Sequence, residues 1–389
     1  MHAEALLELR KFVAPEFVFG PGALSLAGRY ARNLGSRRPL VVTDPGVEDA
    51  GWTERALASL REAGLAAVVF DKVTPNPRDR EVMAGAEFYR AEGCDAIVAV
   101  GGGSPMDCAK GIGIVCSNDR HVLTFEGVDN VETPGPPLIC VPTTAGSSAD
   151  VSQFAIINDT TRRVKIAIVS KAMVPDASLI DPAATTTMDR DLTAHTGLDA
   201  LTHAVEAYVS NAHSPVSDLF ALEAVRRIGA NLPRALEDPT DLPARSGMML
   251  GSMYAGLAFS NAILGAVHAM AHSLGGLKDL PHGLCNAILL EHVADFNFAA
   301  APERYADVAR ALGAQVPEGA PLDERKAATL EGLRAFKRRA GVDVGLADLG
   351  VTPRDLKALA EFAAADPCMA TNPQEPSCED IIAIYEKAL

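Results

Sequence analysis

Between residue 38 and about residue 185, short runs that are apolar at every position alternate with longer runs in which apolar residues recur every three or four places. Segments 39–42 (PLVV), 66–70 (AAVVF), 96–100 (AIVAV) and 138–141 (LICV) have no polar face, the pattern of strands buried on both sides in a parallel sheet. Segments 52–63 and 78–92 have amphipathic helical spacing, and each follows a turn rich in Pro or Gly. The first half therefore reads as βαβ units. Beyond about residue 186 the strand signal fades, and 192–210, 216–230, 244–274 and 302–312 read as helix, with loops at 238–243 and 317–323. The expected organisation is an α/β, Rossmann-like parallel-sheet domain over 1–185 and an all-helical domain over 186–389.

The length of 389 residues agrees with two or three domains at about 150 residues each. A net charge of −15 repels phosphate backbones and anionic membrane surfaces, so no nucleic-acid or membrane partner is expected. No apolar run approaches the ~18 residues that span a bilayer. The opening MHAEALLELRKFVAPEF carries charges within its apolar stretch and lacks a small-residue cleavage site, so it does not read as a secretory signal. The seven cysteines are scattered without a CxxC pair, which suits reduced thiols and a cytoplasmic protein.

After the strand at 96–100 the chain reads GGGSPMDCAKGIG. Glycines at a strand-to-helix turn let backbone amides approach a phosphate at the positive end of the helix. The spacing is neither GxGxxG nor GxxxxGK[ST], so a merely tight turn competes with a dinucleotide site. Asp44, past the strand at 39–42, suits a ribose hydroxyl, but Asp44-Pro45-Gly46 is equally good turn chemistry. The hydroxyl-rich VPTTAGSSADVSQF at 141–154 fits either a phosphate or carboxamide site or a polar cap.

The sharpest signal lies in TGLDALTHAVEAY and VHAMAHSLGGLKDLPHGLCNAI. Asp199 and His203 share one helix face, as do His268 and His272, and His282 follows ten residues later. Four of the nine histidines fall in these otherwise Ala-, Leu- and Gly-rich stretches. Any single one fits a satisfied core position, but several buried together need a shared partner, and a divalent cation is the most economical one. Imidazoles with one carboxylate and no thiolate suit Fe(II), Zn(II), Co(II) or Mn(II) in a Lewis-acid role, which lowers the pKa of an alcohol or polarises a carbonyl.

Together these segments resemble the iron-dependent (group III) alcohol dehydrogenase family. The resemblance runs from about Phe12 to the C-terminus through PNP at 75–77, GGGS at 101–104 with Asp107 and Lys110, TTAG at 143–146, GLDALTHAVEAY at 197–208, and HxxxH with PHG at 281–283. It implies a metal held by Asp199, His203, His268 and His282, with His272 as a proton-relay residue and not a fifth ligand. It also implies an NAD pyrophosphate on Gly102, Gly103 and Ser104, the adenosine ribose near Asp44, and further cofactor positions at Asn76, Asp107, Thr143, Thr144, Ser152 and Lys165. Iron(II), or zinc(II) or another divalent cation, is the implied metal. The implied activity interconverts a small alcohol with an aldehyde or ketone, in a homodimer or larger assembly. One departure stands out: the family continues TTAG with Thr-Gly-Ser-Glu, whereas this chain has Ser147, Ser148, Ala149 and Asp150. Two other readings accompany the dehydrogenase: a metal- and NAD-binding sensor with little turnover, and a dehydroquinate-synthase-like lyase, which needs more basic residues than the single Lys278 near the ligand motifs.

Overall fold

The computed structural model describes residues 10–389, so the first nine residues of the opening segment lie outside the described residues. The chain begins with β1 (Glu16–Phe19), α1 (Ala27–Asn33), β2 (Pro39–Val42), α2 (Pro45–Asp49), α3 (Trp52–Glu62) and β3 (Val68–Phe70). It continues with α4 (Asp79–Ala91), β4 (Ala96–Gly101), α5 (Gly103–Asn118), β5 (Gly127–Val128), β6 (Leu138–Pro142), β7 (Phe154–Asp159), β8 (Val164–Val169) and β9 (Ala177–Ile180). Six strands form one sheet in the order β1-β9-β6-β4-β2-β3, with every pair parallel.

The unbroken apolar runs are explained by burial on both faces. Leu40, Val42, Ile97, Ala99 and Cys140 enter one core cluster, while Val41, Val98, Val100, Ile139 and Val141 enter another. From β2 the chain moves outward to β3, whereas from β4 it moves the opposite way to β6. The crevice at the carboxyl ends of β2 and β4 is therefore the switch point at which such sheets bind ligands. A second sheet, ordered β5-β8-β7, pairs β7 and β8 antiparallel, with Asn158 opposite Lys165.

The rest is helical: α6 (Arg190–Val209), α7 (Pro215–Glu237), α8 (Leu242–Ala262), α9 (Ala266–Lys278), α10 (His282–Asn297), α11 (Pro302–Ala311), α12 (Leu322–Arg339), α13 (Leu356–Ala364) and α14 (Cys378–Ala388). Asp189, Ser214 and Asp241 cap α6, α7 and α8 by accepting from backbone amides of their first turns. The single helix expected over 244–274 is a misreading, because the chain bends by 99° between α8 and α9. Ile263 adopts a left-handed φ of 62°, and the freed amides of α9 find partners far away in sequence. Asn372 Oδ1 accepts from Ala266 N at 3.1 Å, and Glu206 Oε1 accepts from Val267 N at 2.7 Å. Among the described residues no single helix is long and apolar enough to cross a membrane. All seven cysteines are free; Cys108, Cys140, Cys285 and Cys368 are buried and Cys378 is exposed.

Candidate metal and cofactor site

Three helices converge below the sheet's carboxyl edge. The buried face of α6 carries Asp199 and His203, the amino-terminal half of α9 carries His268 and His272, and α10 opens on His282. Donor atoms of Asp199, His268 and His282 all lie within 4.8 Å of one another. Asp199 Oδ1 stands 3.7 Å from His268 Nε2 and 3.8 Å from His282 Nε2. His203 is the fourth side chain, outside that group of three, its ring sandwiched between Phe259 at 4.3 Å and His268 at 4.4 Å. His272 stacks on His282 at 5.3 Å and turns its Nδ1–H to Asp366 Oδ2 at 2.8 Å. Asp366 in turn accepts from Cys368 N.

The donor set is short of protons. Asn286, one turn after His282, directs Nδ2 at Asp199 Oδ1 (2.7 Å), His268 Nε2 (3.1 Å) and His282 Nε2 (3.2 Å). An amide nitrogen has two hydrogens for these three neighbours, so it cannot donate to all of them. His203 Nδ1, His282 Nδ1 and Asn286 Oδ1 are also buried without a partner. Such a collection of lone pairs in an apolar surround fits a divalent cation.

Electrostatics point the same way. Burial works against a charged Asp199, but the surrounding rings of His203, His268 and His282 outweigh it and hold the carboxyl below its usual range. Burial pushes His203 down to about 3 and His282 well below an ordinary imidazole, so both rings are neutral, as ligands must be. His268 differs. Burial opposes its charge, yet Glu206, joined by Asp199, lifts it to about 9. Glu206 Oε2 accepts from His268 Nδ1 at 2.5 Å, which fixes the ring and leaves Nε2 facing Asp199 and His282.

On the cofactor side, Gly102 precedes α5 as its N-cap with no side-chain cap and no acid in the helix's first turn, so the amides of Gly103 and Ser104 stand open beside the sheet. A Cβ on Gly103 would lie 2.9 Å from Ser147 Cβ, so the 143–147 loop needs a glycine to pack this close. Thr143 N donates to Gly101 O, and the Thr144 side chain covers Gly102. Asp44 sits at the neighbouring strand end, where it caps α2 through Val47 N at 3.0 Å. Asn76 accepts from Lys165 Nζ at 2.7 Å.

Two of the expected cofactor positions, Asp107 and Ser152, also take part in packing. Asp107 accepts from Ile156 N at 3.2 Å, and burial raises it to about 6 against the pull of Lys110. Ser152 is buried and gives its carbonyl to Lys110 Nζ at 2.8 Å, alongside Phe154 O at 2.7 Å. Asp107 and Lys110 thus fasten α5 to β7. The 147–150 departure is likewise absorbed by packing. Ser148 takes a left-handed backbone (φ 52°) and donates to Ser252 O at 2.7 Å, while Asp150 is buried on Ser178 Oγ at 2.7 Å.

Sequence reasoning missed Asn286, Glu206, Phe259 and Asp366. Asn286 and Glu206 were within reach, lying one turn from His282 and His203; Phe259 and Asp366 carry no local signal.

The comparisons decide the family. Residues 14–182 match the model of iron-containing alcohol dehydrogenases, and 193–389 match the C-terminal model of the Fe-containing alcohol dehydrogenase family. The chain belongs to the iron-containing alcohol dehydrogenase family. Within it, the chain is 42% identical over 372 residues to 1,3-propanediol dehydrogenase of Citrobacter freundii, covering 95% of this chain and 96% of that one. It is 37% identical over 380 residues to NAD-dependent methanol dehydrogenase of Bacillus methanolicus, covering 97% and 99%. A crystal structure of 1,3-propanediol oxidoreductase superposes with a TM-score of 0.95 at 40% identity, covering 98% of this chain and 100% of that one. Iron-containing alcohol dehydrogenases thus share the whole architecture described above.

Proposed function

We propose that this chain is an NAD(H)-dependent alcohol dehydrogenase that interconverts a small alcohol with an aldehyde or ketone, holding Fe(II), or Zn(II) or another divalent cation, on Asp199, His203, His268 and His282. The observation that carries the reading is the convergence of Asp199, His268 and His282 donors within 4.8 Å in a buried, proton-poor pocket. Dehydrogenase and reductase names among the relatives support the enzyme over the sensor and the lyase.

Residues 1–185 form the cofactor half and 186–389 the metal half. Gly102, Gly103 and Ser104 receive the pyrophosphate at the open end of α5, with Asp44, Asn76, Asp107, Thr143, Thr144, Ser152 and Lys165 around the remaining cofactor. The cation supplies Lewis-acid stabilisation of negative charge on the reacting oxygen. Glu206 holds the His268 ring in register, and Phe154 and Phe259, 5.7 Å apart, help keep the pocket dry. His272 is the catalytic proton carrier: Asp366 holds its Nδ1–H, which leaves Nε2 to take the hydroxyl proton and pass it to solvent. The enzyme acts in the cytoplasm as a homodimer or larger, without nucleic-acid or membrane partners. Among the described residues β1 lies at an edge of the sheet, with Phe17 41% exposed, and this supports an assembly.

Protein reconstituted anaerobically with Fe(II) and offered NAD with short alcohols should form NADH, at about 1 per second or faster with a good substrate. No NADH with any cation or alcohol overturns the reading. A separate expectation concerns Glu206. A Glu206→Gln protein should bind metal roughly 10–100-fold more weakly, measured by competition with a chelating dye.

A further inference from the structure

The helix end that leads to His282 meets the other half of the molecule through the Leu277 carbonyl, which accepts from Arg163 at 3.0 Å, and through the carboxylate of Asp279. Asp279 closes α9 in a left-handed conformation (φ 55°), three residues before His282. Its Oδ1 accepts from Asn76 Nδ2 at 2.8 Å, and its Oδ2 accepts from Arg78 at 3.2 Å. Asn76, itself left-handed (φ 57°), uses its other amide atom to accept from Lys165 Nζ. Asp279 therefore decides which way the Asn76 amide is turned: with Nδ2 toward Asp279, Oδ1 must face Lys165. Remove the carboxylate and both the amide orientation and the lysine's only hydrogen-bond acceptor among the described contacts become free to change. On the helical side, the same carboxylate anchors the three-residue connection from which α10 and His282 start.

We propose that Asp279 is a positioning residue that couples the metal half to the cofactor half, setting Asn76 and Lys165 toward the cofactor while holding the connection that carries His282. The inference rests on the dehydrogenase reading, since it takes the cleft beside Asn76 as the cofactor's place. A neighbouring ion pair provides the control. Lys278 Nζ pairs with Asp355 Oδ1 at 2.9 Å at the same helix end, but Asp355 touches neither Asn76 nor Arg78.

The test is a fluorescence titration of metal-stripped protein with NADH, using the unmodified chain, Asp279→Ala, Asp279→Asn, Asp279→Gly and Asp355→Ala. Asp279→Ala should bind NADH about tenfold more weakly, the size of one charge-assisted hydrogen bond. Asp279→Asn, which keeps an acceptor for Asn76, should recover most of that loss, and Asp355→Ala should bind as the unmodified protein does. Titration with Co(II) in the absence of NADH should show a parallel weakening in Asp279→Ala, and Asp279→Gly, which suits the left-handed backbone but has no carboxylate, should show the same two losses with the melting temperature of the unmodified chain. Unchanged NADH affinity in Asp279→Ala, an equal loss in Asp355→Ala, or a loss that Asn does not relieve overturns the proposal. Failure of the unmodified chain to bind NADH would overturn the dehydrogenase reading as well, and the unmodified arm tells the two failures apart.

Discussion

An Asp199→Ala protein expressed with ferrous iron and purified without air should carry no stoichiometric iron, and its kcat/KM should fall at least about a thousandfold. Asp199 is the one anionic member of the donor set, and its Oδ1 is the point that both His268 and His282 face. Without it only the imidazoles of His203, His268 and His282 remain, a set with no anion to offset the lost hydration of a doubly charged ion. Lewis-acid stabilisation is worth several kcal/mol, and each 1.4 kcal/mol is about a factor of ten, which yields the thousandfold figure. Asp199→Asn should fall almost as far, because it keeps the shape and loses the charge. Elemental analysis and NADH formation check both variants. Iron retained at one equivalent with near-normal turnover would show that the cluster is a structural polar network.

The readable parts of the chain were those whose local pattern and tertiary role coincide. AIVAV at 96–100 is apolar on both faces because helices cover both faces of β4, so its sequence could be read directly. Asp199 with His203 and His268 with His272 were legible for a related reason, since four-residue spacing survives wherever a helix forms. The β7–β8 hairpin was not recognised, although FAIIND and VKIAIV are reasonable strands. Its turn is Thr-Thr-Arg-Arg, with Arg163 at a φ of 58° in place of the expected Asn-Gly or Asp-Gly. The bend at Ile263 was hidden because its causes are non-local. Asn372 and Glu206 hold the α9 amides, and neither lies within fifty residues of that position. Asp366 eluded the reading in the same way, since it meets His272 from 94 residues away. The proposed ligands could be found from spacing, whereas the residues that would orient them came from wherever the fold brought a carboxylate.

Gly283→Ala should be the most damaging single methyl in the site. A Cβ at position 283 would lie 2.4 Å from the backbone oxygen of His195, 2.8 Å from its carbon and 3.3 Å from Asp199 Cβ. A flexible side chain could swing aside, but a carbonyl in the middle of α6 cannot move without moving the helix. The alanine therefore has to push the first turn of α10 away from α6, and those two helices carry His282 and Asp199, whose donors now stand 3.8 Å apart. Overpacking of this kind costs about 2 to 3 kcal/mol, so the melting temperature should drop by several degrees. The metal should suffer more than the fold, because ligand geometry tolerates shifts of only about 0.2 Å. The expected signature is a folded protein that has lost at least about a hundredfold in Co(II) affinity, beyond the 10–100-fold typical of a supporting residue. Normal metal affinity together with the stability loss would mean that α6 and α10 part without separating Asp199 from His282, and that the site does not depend on this contact.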